Sequence, residues 1–597
     1  MTTRATRGPR RRTVVALAVI LAVLSAFIVR LVDIQVVRAD EHVADSLSLG
    51  QLGATRTIAG ARGEIVDTDG TVLASSTFVY DAQLSPVLIQ DNEDEEDPKK
   101  KFAPPWAEAS ESIAAIIGKS GDEVRGMVAD KLAADPDSQY LELAKGLSTD
   151  QYLELRGLGL GSYLAMFPRS VRVYPNGAVA GNMLGFLNGE GKAQYGVEKT
   201  EKQCLAPKDG EETFLVGKSG NKIPGSERTT PAVDGGSVQL TIDSDLNWYL
   251  QQVIAEEAKK QGAKGGSITV VEVKTGKIRA AAEYPALDPN DINAVDPRYW
   301  KSQIFSDAYE PGSTFKPITA ASVIDQGKAT PLSHVTAPSR ENFPNGAVIN
   351  DPFRHPVYEY TLTGALIDSS NVSMSKFGSL VTPQSRYEYL QRFGVGQHTG
   401  VELPAEQRGL LYEASEWDSQ SLYTTTFGQH FTVTPAQIAG AYQAIANDGE
   451  KVELSLVESC TSADGTVIDA GKSASERIIA EKTAADVQRM LENVAVQGTT
   501  AKSIEVPGYR IGAKTGTAQK PDGKGGYKQG LYFTNMVGIA PIEDPQYVVV
   551  VTLDEPTRIR SSAATASAFQ KAMTQVMKTY SVAPSSQPMD TLLPKFD

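Results

Sequence analysis

The sequence predicts an α/β multidomain protein carried on one N-terminal transmembrane helix, with an α+β region over 38–235 and an α/β domain over 236–582. Three observations predict it. Arg4, Arg7, Arg10, Arg11 and Arg12 precede an uncharged run from Thr13 to Val29. A Gly235-Gly236 break is followed at once by the alternating run Ser237-Val238-Gln239-Leu240-Thr241-Ile242. Late in the chain, the β-branched run Tyr547-Val548-Val549-Val550-Val551-Thr552-Leu553 precedes a helix-like stretch from Ala563 to Tyr580. At 597 residues the chain is too long for one domain and suits two or three.

The apolar run is at the short edge of a membrane span. Arg30 can snorkel, and Leu31 to Val37 stay largely apolar, which gives an anchor over 13–37 behind a basic tail over 1–12. The positive-inside bias assigns the arginines to the cytoplasm and everything later to the outside. A cleaved signal peptide is the competing reading. No A-x-A-like site follows the run, so a retained anchor is expected.

Beyond the anchor, Thr71-Val72-Leu73-Ala74 reads as a strand and Ala107 to Ile117 as a helix. Asp91 to Lys101, acidic first and then three lysines, is expected to be a solvated loop. After Gly236, Asp245 to Lys260 reads as a helix. The runs Gly266 to Val273 and Lys277 to Ala282 read as a hairpin turning at Lys274-Thr275-Gly276. The Pro- and Ser-rich tail, 583–597, is expected to be mobile. No internal repeat is visible.

A net charge of −14 argues against nucleic-acid binding, which needs a basic face. Two cysteines make neither a disulfide framework nor a zinc site, and five scattered histidines show no metal spacing. Cys204 and Cys460 fall in different predicted regions. That argues against a pair, although an extracytoplasmic location permits one.

Three short motifs then stand in one order: Ser313-Thr314-Phe315-Lys316, Ser369-Ser370-Asn371 and Lys514-Thr515-Gly516-Thr517. This is the S-x-x-K, S-x-N, K-T-G set. Each piece alone is weak. Other S-x-x-K matches occur at Ser219-Gly220-Asn221-Lys222 and Ser373-Met374-Ser375-Lys376, and a second K-T-G at Lys274. Ser313 has the better surroundings. Pro311-Gly312 breaks the chain, Ser313 reads as the N-cap of an apolar helix, and Pro317 is tolerated only near a helix start. Lys316 then lies on the serine's face.

From these residues outward the chain resembles a class B penicillin-binding protein, most like the division-type, FtsI-like peptidoglycan D,D-transpeptidases. Glu310-Pro311-Gly312 before Ser313, Phe427-Gly428-Gln429, Thr434-Pro435-Ala436-Gln437, Gly508-Tyr509-Arg510 and Val537-Gly538-Ile539-Ala540-Pro541 are all family-like. So are Arg62-Gly63-Glu64-Ile65-Val66-Asp67, Arg172-Val173-Tyr174-Pro175 and Gly196-Val197-Glu198 in the earlier region. Ala513 departs from the glycine expected there. The resemblance implies a non-catalytic dimerisation, or pedestal, domain over 38–235. It also implies a transpeptidase domain with an antiparallel five-stranded sheet covered by helices and a helical subdomain holding the second motif.

The chemistry follows. Ser313 is the candidate nucleophile and Lys316 the candidate base. A free lysine titrates near ~10.4, and service as a base near neutrality asks for about 4 kcal/mol of destabilisation of its cation. Burial and a second cation, Lys514, can supply that. Ser369 would relay a proton to the leaving amine, and Asn371 has the donors and acceptor to grip a peptide amide. Lys514, Thr515, Gly516 and Thr517 would bind a terminal carboxylate. The resemblance implies an oxyanion hole at the backbone N–H groups of Ser313 and Thr517. It also implies stem peptides ending in D-Ala-D-Ala as substrate, β-lactams as covalent inhibitors, no metal or organic cofactor, and septal duty beside other division proteins. With no glycosyltransferase segment visible, glycan polymerisation would come from a membrane partner, which the resemblance implies is a SEDS (FtsW-type) polymerase.

Three alternatives stay open. A β-lactamase needs an extra base to hydrolyse its acyl-enzyme, and no glutamate can be assigned to that role. A D,D-carboxypeptidase would use water as acceptor. A non-catalytic division scaffold would tolerate a degenerate site, against which the intact motifs argue.

Overall fold

The computed structural model describes residues 8–33, 37–38, 53–97, 99–215, 223, 225–469, 473–523, 526–589 and 591–597. Arg4 and Arg7, the anchor segment 34–36 and the Ser219 to Lys222 match lie outside the described residues. Helix Gly8–Val32 contains one stretch, Thr13–Val32, long and apolar enough to cross a membrane. It is exposed throughout, which suits a lipid surround rather than a protein core.

The chain divides into two compact units. The first takes the chain up to Ala61 together with Pro207–Asp234. Its strands Gly53–Ile58, Gly210–Leu215 and Arg228–Thr230 pair antiparallel in that order. The region expected as one stretch over 38–235 is therefore divided, with Arg62–Ala206 packing in the second unit beside everything from Gly235.

The earlier sheet of the second unit is built from distant segments. Its order is Val467–Asp469, Val457–Thr461, Ser237–Leu240, Ile65–Val66, Val72–Leu84 and Leu141–Leu147, with Leu164–Val173 also pairing to Val72–Leu84. Cys460 lies opposite Val238 in this sheet and forms a disulfide with Cys204. The sequence argument against that pair fails because 457–469 leaves the later domain and adds two strands to the earlier sheet. Linear order hid this excursion.

Arg62, Arg172 and Glu198, scattered in sequence, converge. Glu198 is fully buried and accepts from Arg62 Nε at 2.6 Å, Arg172 Nε at 2.7 Å and the Tyr174 hydroxyl at 3.2 Å. Two guanidinium groups compensate one buried carboxylate, which alone would be costly. Asp67 accepts from Asp69 N and Thr71 N with one oxygen and from Ser244 Oγ with the other, tying this sheet to the later domain.

The charged run at 91–101 is only partly a loop. Asp91 to Asp94 complete helix Pro86–Asp94, and buried Asn92 accepts from Phe102 N and Ala103 N.

The later domain consists of α1 (Ser244–Gln261), β1 (Gly265–Glu272), β2 (Ile278–Tyr284), α2 (Lys316–Asp325), α3 (Leu362–Ile367), α4 (Asn371–Gly378), α5 (Pro435–Ala446), α6 (Glu481–Gln497), β3 (Gly512–Pro521), β4 (Tyr527–Ala540), β5 (Tyr547–Asp554) and α7 (Ala566–Thr579), with shorter pieces between. The sheet order is β2-β1-β5-β4-β3, antiparallel throughout, as the resemblance implied. The β-branched run of β5 lacks polar alternation because both faces are buried. Val548 and Val550 join the core with α5, and Val549 and Val551 join the core with α1 and α7. The first K-T-G is a hairpin turn, with Gly276 N donating to Glu272 O.

The tail is docked, contrary to the expectation of mobility. Leu593 is buried in the core beside α3 and α6, and Ser585 N donates to Gly508 O. Its polar composition conceals backbone groups that find partners on folded elements.

Candidate active site

The first motif begins in a 3-10 turn, Gly312–Phe315, that runs into α2. Lys316 N donates to Ser313 O across that turn, and residues three apart eclipse in such a turn. Ser313 is not the N-cap that its residue type suggested. Phe315 occupies that position without a side-chain cap, and Pro317 sits in the first turn. The Ser313 hydroxyl, half-buried, forms no hydrogen bond among the described residues. It is therefore not spent on capping.

The turn is held by its surroundings. Gly312 N donates to Gly428 O at 2.9 Å, and the buried Tyr442 hydroxyl donates to Thr314 O at 2.7 Å. Gly428 has φ +86°, and a Cβ there would lie 2.0 Å from Gly312 O, so only glycine fits. Upstream, Glu310 accepts from His430 N and from the Tyr527 hydroxyl, both at 2.9 Å. Burial pushes the Glu310 carboxyl up.

The second motif joins α3 to α4. Ser370, the middle residue, is the N-cap of α4, accepting from Ser373 N at 3.0 Å. Capping and site chemistry are thus divided between neighbours. Ser369 adopts φ +57°, a left-handed conformation costing about 1–2 kcal/mol outside glycine. That conformation places its hydroxyl between two lysines. Lys316 Nζ is 3.1 Å from Ser369 Oγ and also donates to Ser369 O. Lys514 Nζ is 3.2 Å from the same Oγ and donates to Thr515 O at 3.1 Å. Among the described residues the Lys316 side chain makes no hydrogen bond to Ser313; its bonds go to Ser369. Asn371 lies beside this loop and donates to Asn350 O at 2.9 Å. None of its hydrogen bonds reaches Ser313 or either lysine.

Both lysines are buried. Burial first, then the Lys514 charge, push Lys316 well below the ordinary lysine range, with Asp351 opposing. Burial brings Lys514 down to about 7. Edge strand β3 carries the third motif past the nucleophile turn: a Cβ on Gly312 would lie 3.4 Å from Thr517 O. Thr515 is half-buried, and Thr517 Oγ1 accepts from Ser562 N at 3.0 Å. A Cβ on Gly516 would meet Asn535 Oδ1 at 2.1 Å, so the strand sits tightly on what lies behind it. Ala513 is buried and accommodated.

Sequence reasoning missed Asp351. Its carboxylate accepts from Ser370 Oγ at 2.7 Å, Val372 N at 2.8 Å and His355 Nε2 at 2.8 Å, fixing the second motif from behind. No local pattern marks it. The competing match at Ser373 is accounted for: Ser373 and Lys376 lie within α4, and Lys376 pairs with Glu341 at 2.7 Å.

Similarity to known proteins covers most of the chain. Residues 266–575 match the family model of the penicillin binding protein transpeptidase domain, and 57–240 that of the penicillin-binding protein dimerisation domain. The chain is 33% identical to penicillin-binding protein PbpB of Mycolicibacterium smegmatis, over 92% of this chain and 87% of that one. It is 28% identical to peptidoglycan D,D-transpeptidase FtsI of Escherichia coli K12, over 95% and 91%. Penicillin binding protein 3 of Mycobacterium tuberculosis, solved in complex with ampicillin, superposes with a TM-score of 0.70 at 26% identity, over 91% of this chain and all of that one. With both domain models matched and relatives aligned over most of its length, the chain belongs to the class B penicillin-binding proteins, the family of peptidoglycan D,D-transpeptidases.

Proposed function

We propose that Ser313 is the nucleophile of a transpeptidation that passes through an acyl-enzyme. The observation that carries this is the Ser369 hydroxyl, shared by Lys316 and Lys514, with Ser313 uncommitted one turn before Lys316. In the Michaelis complex, neutral Lys316 takes the Ser313 proton as Ser313 Oγ attacks the carbonyl of the penultimate D-Ala. The tetrahedral oxyanion lies at the N–H groups of Ser313 and Thr517. As the C–N bond breaks, the proton passes from Lys316 through Ser369 to the departing D-Ala amine. An acceptor amine then attacks the ester, gives up its proton along the same route and regenerates Ser313. Charged Lys514, with Thr515 and Thr517, holds the terminal carboxylate, and Asn371 grips the stem-peptide amide. An edge strand such as β3 suits an extended peptide backbone.

The reading extends to the cellular setting. The helix within 13–37 anchors the chain with the arginines in the cytoplasm and the later domains outside, where a disulfide persists. Septal duty beside a SEDS-type polymerase is part of the same proposal and rests on the resemblance to FtsI-like transpeptidases. Incubation of the full chain with a D-Ala-D-Ala stem peptide and an amine acceptor tests the reaction. Cross-linked dimer in step with released D-Ala is expected. Released D-Ala without dimer would make it a carboxypeptidase, and no release of D-Ala would contradict the acyl-transfer reading.

A further inference from the structure

Segment 591–597 reaches across the domain to the helices that carry the second motif. Thr361 N donates to Lys595 O at 3.0 Å, Thr361 Oγ1 to Pro594 O at 2.7 Å, and Asp597 N to Glu359 O at 3.0 Å. The segment thereby extends the small sheet of His334–Ala337 and Tyr358–Thr361 by one edge. Phe596 packs between Tyr358 and Tyr360, with ring centroids 4.5 and 5.0 Å away. On the other side, Leu593 N donates to Asn493 Oδ1 of α6 at 2.9 Å.

One side chain of this segment reaches the residue that precedes the second motif. Lys595 Nζ is 2.7 Å from Asp368 Oδ1, and the Tyr360 hydroxyl donates to Asp368 Oδ2 at 3.2 Å. Asp368 immediately precedes Ser369. A left-handed serine persists only where its neighbours over-determine it. Asp351 grips the following residue, Ser370, and Lys595 grips the preceding one.

Resting on the transpeptidase reading above, we propose that Lys595 is a positioning residue for the reaction. The docked segment 591–597 is a strap that holds Asp368, and through it the Ser369 hydroxyl, between Lys316 and Lys514. Gly364 in α3 makes the strap's seat testable. A Cβ there would lie 1.9 Å from Lys595 O, so any side chain must displace the segment. In a helix, alanine in place of glycine is otherwise favourable.

The experiment measures fluorescent-penicillin acylation by the full chain in detergent, resolving initial binding from the first-order acylation constant, alongside thermal unfolding. Lys595→Ala and Gly364→Ala are expected to lower the acylation constant by on the order of tenfold to a hundredfold with initial binding unchanged. The unfolding midpoint of Lys595→Ala should stay at the wild-type value, and Lys595→Arg should restore the rate. An unchanged acylation constant in both variants overturns the proposal. A loss that follows the unfolding midpoint, or one that Lys595→Arg fails to rescue, assigns the strap to folding alone and also overturns it. A folded wild type that takes up no penicillin contradicts the parent reading itself, which separates the two failures.

Discussion

Lys316 and Lys514 approach the same oxygen, Ser369 Oγ, at 3.1 and 3.2 Å, each fully buried and, among the described residues, neither paired with a carboxylate by a hydrogen bond. Two ammonium groups cannot both stay charged there at little cost. Burial lowers both, and the Lys514 charge lowers Lys316 further, which suits the proposed division into a neutral base and a cationic carboxylate holder.

The pH dependence of acylation follows. Lys316 must be neutral, so the rate rises with pH through a limb far below the ordinary lysine range. Lys514 must be charged, so the rate falls as pH climbs past about 7. A bell-shaped profile is expected, its two limbs belonging to the coupled pair. Lys514→Arg keeps the charge at all accessible pH, and stopped-flow acylation of that variant should show the alkaline limb gone.

The same burial carries a stability cost. Lys514 titrates near 7 folded and near 10.5 unfolded, so between those values the unfolded chain binds more protons. Stability attributable to this group therefore rises with pH across that window, and the penalty is complete below about 7. Lys514→Met should stabilise the protein by at least about 1 kcal/mol at neutral pH while abolishing turnover. Denaturant unfolding at pH 7 and again above pH 10 would show the gain shrinking at the higher pH.

Gly428→Ala should act on the nucleophile without touching a motif residue. The added Cβ meets Gly312 O at 2.0 Å and the backbone is left-handed. Displacement of the turn by about 1 Å is expected to cost on the order of a hundredfold in acylation rate. Single-turnover labelling with a slow penicillin reads this directly.

Removal of the Cys204–Cys460 disulfide should lower stability by about 2–4 kcal/mol. A Cys204→Ser, Cys460→Ser double variant should keep its acylation rate, because the bridge lies in the earlier sheet and away from the motifs. Chemical unfolding with and without reductant measures the difference.

Breaking the Glu198 cluster should be costlier. Arg172→Ala leaves a fully buried carboxylate with one guanidinium partner, Arg62. About 3–5 kcal/mol of stability is at stake, and the yield of folded protein should fall accordingly. Expression with thermal unfolding checks it.

The motif trio was legible because its chemistry is local: a serine and lysine three apart, a cap-like S-x-N, a strand-borne K-T-G. The β-strand character of Tyr547–Asp554 was legible for the same reason, since β-branched side chains mark a strand buried on both faces. What stayed hidden depends on distance. Asp351 reaches Ser370 from a segment with no pattern of its own, and Cys460 reaches Cys204 only because 457–469 departs from its domain. Ser313 as an N-cap was overridden by tertiary contact: Gly428 and Tyr442 hold the turn through its backbone and leave the hydroxyl unspent. The tail misled by composition, since its anchoring groups are mostly backbone carbonyls and amides.

The central claim is that Ser313 becomes acylated. Intact-mass and peptide mass spectrometry after incubation with a fluorescent penicillin test it most directly, comparing wild type with Ser313→Ala. The account predicts one stable adduct on the peptide holding Ser313 in the wild type and none in a folded Ser313→Ala. An adduct elsewhere, or equal labelling of the variant, would contradict it.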